Sequence, residues 1–228
     1  MVDEAVVVDK LRQIHEYTED LREMRDVPKA EYVDDTVTQR AVERTLMNVI
    51  QSCVDLAQHI RASEELSPSG TSKEEIEAVA NADIISEETE AKIAEAVGFR
   101  NVLAHRYGDI DHDVVYGVLQ EDLHWFDRFQ REVAQWFQRV AQADYSRAIV
   151  CSHGPEPTEF GKLVSERRHS AVERVSEVVS VRTGSDVDVQ CSDHEDEFAD
   201  GRPIRSITSY RVWRLAARSA KLRTTSIR

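Results

Sequence analysis

Four side chains with the means to do chemistry lie together in GFRNVLAHRYGDID, residues 98–111: Arg100, Asn101, His105 and Tyr107. Their types suit cleavage of an RNA phosphodiester without a metal ion. The ribose 2′-hydroxyl is a built-in nucleophile, and it needs a base that works near neutral pH. Histidine is the side chain that titrates there. Negative charge gathers on the phosphorane oxygens in the transition state, and a planar, permanently charged arginine can hold two of them. Asn101 can orient the imidazole or donate to the phosphate. Tyr107 can stack on a base or bond a phosphate oxygen. Such a reaction leaves a 2′,3′-cyclic phosphate and a 5′-hydroxyl. Arg106, inside the same segment, is either a further RNA contact or a solvated charge. The plainer alternative for the group is a His facing the dipole at a helix end beside a solvated Arg.

Spacing constrains how these groups can meet. Asn101 and His105 are i,i+4 neighbours, and Arg100 and Tyr107 are i,i+7, so each pair shares a helix face. Arg100 and His105 are five residues apart, about 140° around an ideal helix. They converge only if the helix end loosens, for which Gly108 is suited, or if a second copy of the chain brings its own helix alongside.

The elements that must hold this segment read as helices. Val8, Leu11, Ile14, Leu21 and Met24 recur at helical spacing over about 4–26, and Pro28 ends the pattern. Asp34, Asp35 and Thr36 offer caps for a long helix to about Ala62, with Val37, Ala41, Leu46, Val49, Ile50, Val54, Ala57 and Ile60 as its stripe. LSPSGT at 66–71 is a loop, and Ser72 with Glu75 reads as a capping box opening a short helix. Ser86 opens the helix that runs through Ile93 and Val97 to about Arg106. Asp111 opens a last helix to about Ala143. It carries an aromatic band of Trp125, Phe126, Phe129, Trp136 and Phe137, expected as core or dimer interface. No segment before residue 145 alternates like a strand. Arg40, Glu43 and Arg44 on the second long helix either reach the site or form surface salt bridges.

Composition sets the bounds. The chain has 228 residues, 41% hydrophobic and 32% charged, as expected of a soluble globular protein. No apolar run approaches the roughly 18 residues of a membrane span, and Met1–Lys10 lacks a signal-peptide pattern, so no membrane association and a cytoplasmic location are expected. Cys53, Cys151 and Cys191 fit no disulfide framework or CxxC site, and Cys53 reads as a buried thiol. The net charge is −14. Bulk attraction to nucleic acid is therefore excluded, and RNA contacts must be local. The charge is uneven: residues 146–228 carry 14 basic and 12 acidic side chains, and Arg202–Arg228 has eight basic residues and no acid. The boundary is drawn there, with a helical domain at 1–145 and an irregular C-terminal extension at 146–228. One helix-like run lies within that extension, at about 161–181.

Residues 98–111 resemble the R-x4-H-x-Y signature of the HepT toxins, within the HEPN ribonuclease superfamily. QRAVERTLMNVIQSCVDLAQHI at 39–60 resembles that family's second helix, and the order of helices is similar over about 5–143. The resemblance implies an all-α, up-and-down HEPN bundle that acts as the toxin of a toxin–antitoxin system, a homodimeric endoribonuclease with a composite site needing no metal and no cofactor. It implies that Arg100 and His105 are the catalytic pair, with Asn101 as the polar neighbour. It further implies that Tyr107 is the tyrosine a minimal nucleotidyltransferase antitoxin modifies with AMP, blocking RNA by bulk and charge.

Two other readings stay open. One is a non-catalytic helical interaction protein. The other is a toxin–nucleotidyltransferase fusion, because Asp186 and Asp188 in GSDVDV resemble the paired carboxylates of nucleotidyltransferases. No Gly-Ser element precedes them at the usual distance, and Asp193–Glu197 reads as a solvated acidic run. His153, His169 and His194 fit no standard metal spacing.

Overall fold

A computed structural model describes residues 3–105, 110–151, 170 and 172–176. Seven helices occur among the described residues within 3–151: α1 (Glu4–Arg25), α2 (Lys29–Asp34), α3 (Thr36–Ser63), α4 (Ser72–Asn81), α5 (Glu87–His105), α6 (His112–Glu121) and α7 (His124–Cys151). The described residues contain no strand. The long helices α1, α3, α5 and α7 form the up-and-down bundle expected, and α2, α4 and α6 link or flank them.

The apolar stripes explain the packing. On α1, Val7, Leu11, Ile14, Thr18 and Leu21 are buried at alternating spacings of four and three. Thr18 is tolerated there because its hydroxyl donates to the Ile14 carbonyl at 2.7 Å. That stripe meets Leu46, Val49, Ile50, Cys53 and Ile60 of α3. Cys53 is the buried thiol expected, and burial pushes its ionisation well above the usual thiol range. Of the aromatic band, Phe126, Phe129, Trp136 and Phe137 are core residues, and Trp125 packs at the core's edge. Across α1 and α7, Gln130 donates to the Leu11 carbonyl at 2.7 Å, and Arg22 pairs with Asp127.

Caps fix the helix starts. Asp3, Asp35 and Asp111 each accept backbone N–H groups of the turn they open. At α4 the cap lies one residue earlier than the sequence suggests. Thr71, not Ser72, accepts from Glu74 N, and Glu74 reaches back to Gly70 N at 2.6 Å. A second difference lies in the last helix. The sequence reads as one helix from Asp111, but the chain breaks at Asp122–Leu123 into α6 and α7. Two short turns make the break, with Trp125 N donating to Asp122 O and Phe126 N to Leu123 O. It lets α6 lie against α1, α2 and α3 while α7 runs along α1 and α5.

α7 continues to Cys151, past residue 145. Residues 172–176 are helical, Val175 is buried against the bundle, and Gln138 of α7 donates to the Ser176 hydroxyl at 2.9 Å. Asp186, Asp188, the acidic run, the histidines at 153, 169 and 194, Cys191 and the basic run at 202–228 lie outside the described residues. No described helix is long and apolar enough to cross a membrane.

Candidate active site

α5 carries the site, and contacts along its length fix it. At its start Ser86 accepts from Thr89 N, as a cap does. Glu132 of α7 then accepts from both the backbone N–H and the hydroxyl of Ser86, at 2.9 Å each. Arg128 bonds Glu132 at 3.0 Å and Glu88 at 2.7 Å. Burial alone would raise the Glu132 carboxyl. The hydrogen bonds from Ser86, Arg128 and Thr89 outweigh it and hold the group below its ordinary value of 4.5. A carboxylate with a depressed folded value contributes stability above its unfolded value and loses it as pH falls through the folded one. We therefore expect Glu132→Gln to cost about 1–2 kcal/mol at pH 7. In urea titrations the difference from wild type should shrink below about pH 4; a pH-independent difference would contradict this account.

Farther along α5, Val97, Phe99 and Leu103 anchor it in the core. Between them, Arg100 is half-buried, and its Nε has no hydrogen-bond partner. No ion pair is formed by its guanidinium among the described residues. A permanently charged, partly desolvated fork with no carboxylate partner among the described residues, in a chain of net charge −14, is chemically suited to an anion. Asn101 and His105 are exposed and share a face, as the spacing predicts, and His105 is the last residue of α5. The helix stays α-helical from Arg100 through His105. The end does not loosen between them, and the angular gap of about 140° persists. Arg106 and Tyr107 lie outside the described residues.

The chain re-enters the described structure at Ile110, and α6 begins at His112 under the Asp111 cap. His112 Nδ1 lies 3.6 Å from a Glu43 carboxylate oxygen on α3, and its ring meets Tyr32 edge-on at 6.3 Å between centroids. Burial raises the Glu43 carboxyl, with His112 and Arg40 pulling it back. Glu43 thus faces α6, a contact with no local signal in the sequence. Arg40 and Arg44 are exposed, and the salt-bridge alternative for them is not realised: neither forms an ion pair among the described residues.

The chain is an all-helical bundle whose third long helix carries Arg100, without an ion pair among the described residues, and ends on the exposed His105. The family described as Ribonuclease HepT-like matches residues 14–133, and the chain belongs to that family. An mRNA nuclease HepT of Shewanella oneidensis is 26% identical over 100 residues, 44% of this chain and 75% of that protein. A tRNA nuclease HepT of Aphanizomenon flos-aquae is 24% identical over 132 residues, 58% of this chain and 90% of that one. Among solved structures, a chain of a toxin–antitoxin crystal structure with AMP-PNP superimposes with a TM-score of 0.54 at 21% identity, covering 57% of this chain and 97% of its own. A structure of the tri-AMPylated Shewanella oneidensis HEPN toxin with its MNT antitoxin gives 0.54 at 22% identity, covering 58% and 98%. These structures share the fold.

Proposed function

We propose that the chain is the toxin of a toxin–antitoxin pair, an endoribonuclease of the cytoplasm whose catalytic unit is residues 1–145. Arg100, whose guanidinium forms no ion pair among the described residues, on the helix that ends in His105 carries this reading. His105 accepts the proton of the ribose 2′-hydroxyl. The 2′-oxygen then bonds to phosphorus, and the bond from phosphorus to the 5′-oxygen breaks, that oxygen taking up a proton from water. Arg100 holds the charge on the non-bridging oxygens, and Asn101 orients the imidazole or donates to the phosphate. Arg106 is an added RNA contact.

Because one copy holds Arg100 and His105 on different sides of α5, the working site is assembled by a homodimer, with Arg100 of one copy serving the phosphate beside His105 of the other. An equal mixture of Arg100→Ala and His105→Ala subunits, allowed to exchange, is expected to recover cleavage at least about tenfold above either alone, since about half the dimers then hold one intact pair. Lack of recovery in a mixture shown to contain heterodimers would remove the composite site.

The partner that neutralises the toxin is a minimal nucleotidyltransferase, which modifies Tyr107 with AMP. The toxin–antitoxin assemblies of the structural neighbours and the AMPylation of one of them support this reading.

A further inference from the structure

One cation lies against the catalytic helix without a role in the reaction described above. Lys73, on the first turn of α4, extends across α5 at Gly98. Its Nζ is 3.5 Å and its Cε 3.8 Å from the position a Cβ would take there. Gly98 is seven residues before His105 and three before Asn101, so all three share the face of α5 turned away from the core. The ammonium therefore lies on the line that leads to His105, about 10 Å from it along the helix axis and about 5 Å from the level of Asn101. Lys73 is exposed and forms no ion pair among the described residues. Its pull on Glu90 is the weakest of the influences on that carboxyl.

We propose that Lys73 binds a phosphate of the RNA strand neighbouring the scissile one, so that the strand runs along the Gly98–Asn101–His105 face of α5. This rests on the ribonuclease reading. The bundle is strongly acidic and repels a polyanion at long range, so affinity must come from a few placed cations. Several cations of the bundle are committed to carboxylates: Lys10 to Asp55, Lys29 to Asp113, Arg61 to Glu75, Arg128 to Glu88 and Glu132. Lys73 is not, and it lies on the face that presents His105. An ammonium on a flexible stem suits a phosphate that needs holding rather than activating. Glycine at 98 leaves the helix surface low, and the end of the lysine side chain comes to rest beside it.

The test separates binding from cleavage. A fluorescein-labelled single-stranded 12-mer with 2′-O-methyl riboses lacks the nucleophile, and its affinity is read by anisotropy from 50 to 300 mM KCl. Lys73→Gln is expected to weaken binding about three- to tenfold at low salt. It should also flatten the slope of log affinity against log salt by about 0.7 for each phosphate the protein no longer neutralises. Lys73→Arg should keep both. With cleavable RNA, the Lys73→Gln decrease in kcat/KM should appear on the 12-mer and not on a dinucleotide, which has no neighbouring phosphate. An unchanged salt slope, an equal decrease on the dinucleotide, or a decrease that tracks dissociation of the dimer in sedimentation would overturn the proposal. Those results bear on Lys73 alone if wild type cleaves RNA; failure of wild type to cleave any RNA would instead remove the reading beneath it.

Discussion

His105→Ala is expected to lower RNA cleavage by about 10³-fold at neutral pH, within the range a positioned general base supplies. Arg100→Ala should lower it about 10²–10³-fold, as removal of a donor to a developing oxyanion does. The two differ in rescue. Arg100→Lys should recover little, because a point charge cannot reproduce the two parallel hydrogen bonds of a guanidinium. Neither decrease should come from unfolding. His105 is exposed at the end of α5, and Arg100 Nε has no hydrogen-bond partner among the described residues, so neither substitution removes a hydrogen bond or ion pair seen there. Thermal unfolding followed by circular dichroism should place His105→Ala within about 0.5 kcal/mol of wild type. Inactivity that tracked reduced stability would show that the residue matters to the fold and not to the reaction.

The second large effect concerns Tyr107. Attachment of AMP to its hydroxyl adds a nucleotide and a negative charge two residues from His105, the base proposed to act at the scissile phosphate. Toxin loaded with AMP at Tyr107 is expected to lose cleavage almost completely. Tyr107→Phe has no hydroxyl to modify, so it should keep much of its cleavage and escape silencing by the nucleotidyltransferase. Mass spectrometry of toxin incubated with antitoxin, ATP and Mg²⁺ should place the added mass on the peptide containing Tyr107 and find none on the Phe variant. Equal silencing of both proteins would move the control to binding alone. Modification of Tyr107 without any antitoxin, abolished in Asp186→Ala, would instead favour the fusion reading.

Much of the fold is legible in the chain because the signals are local. The Val7–Leu21 and Leu46–Ile60 stripes repeat at helical spacing, and Asp3, Asp35 and Asp111 are capping residues immediately before their helices. Arg100, Asn101 and His105 lie on α5 as their spacing requires, and the family match confirms what the R-x4-H-x-Y resemblance implies about class. The break between α6 and α7 is not legible. No Gly or Pro stands at Asp122–Leu123, and Leu119, Leu123 and Phe126 keep the helical rhythm across it. Packing decides it, since α6 also packs on α2 whereas α7 also packs on α5. The α4 cap differs by one residue because TS at 71–72 offers two hydroxyls and only the geometry selects Thr71. The short α2 is hidden for a similar reason: Pro28 marks the end of α1, but only the burial of Tyr32 against α3 and α6 makes a further turn of helix worthwhile. Glu43 with His112, and Lys73 over Gly98, join helices far apart in the chain. Contacts of that kind leave no periodic trace.

The two halves of the site have different supports. The guanidinium without an ion pair among the described residues and the exposed imidazole are features of one copy of α5. Their cooperation needs two copies, because a regular helix holds them about 140° apart. The homodimer proposed above would meet that need by pairing two α5 helices so that Arg100, Asn101 and His105 face one phosphate.

The central claim is that these side chains, rather than a bound metal ion, cleave RNA through its 2′-hydroxyl. Purified protein should be incubated with 5′-labelled single-stranded RNA in excess EDTA, and the product ends analysed. Cleavage that leaves 2′,3′-cyclic phosphate and 5′-hydroxyl ends is expected, together with its disappearance in His105→Ala. Cleavage that appears only when Mg²⁺ is restored, or that leaves 5′-phosphate ends, would contradict it.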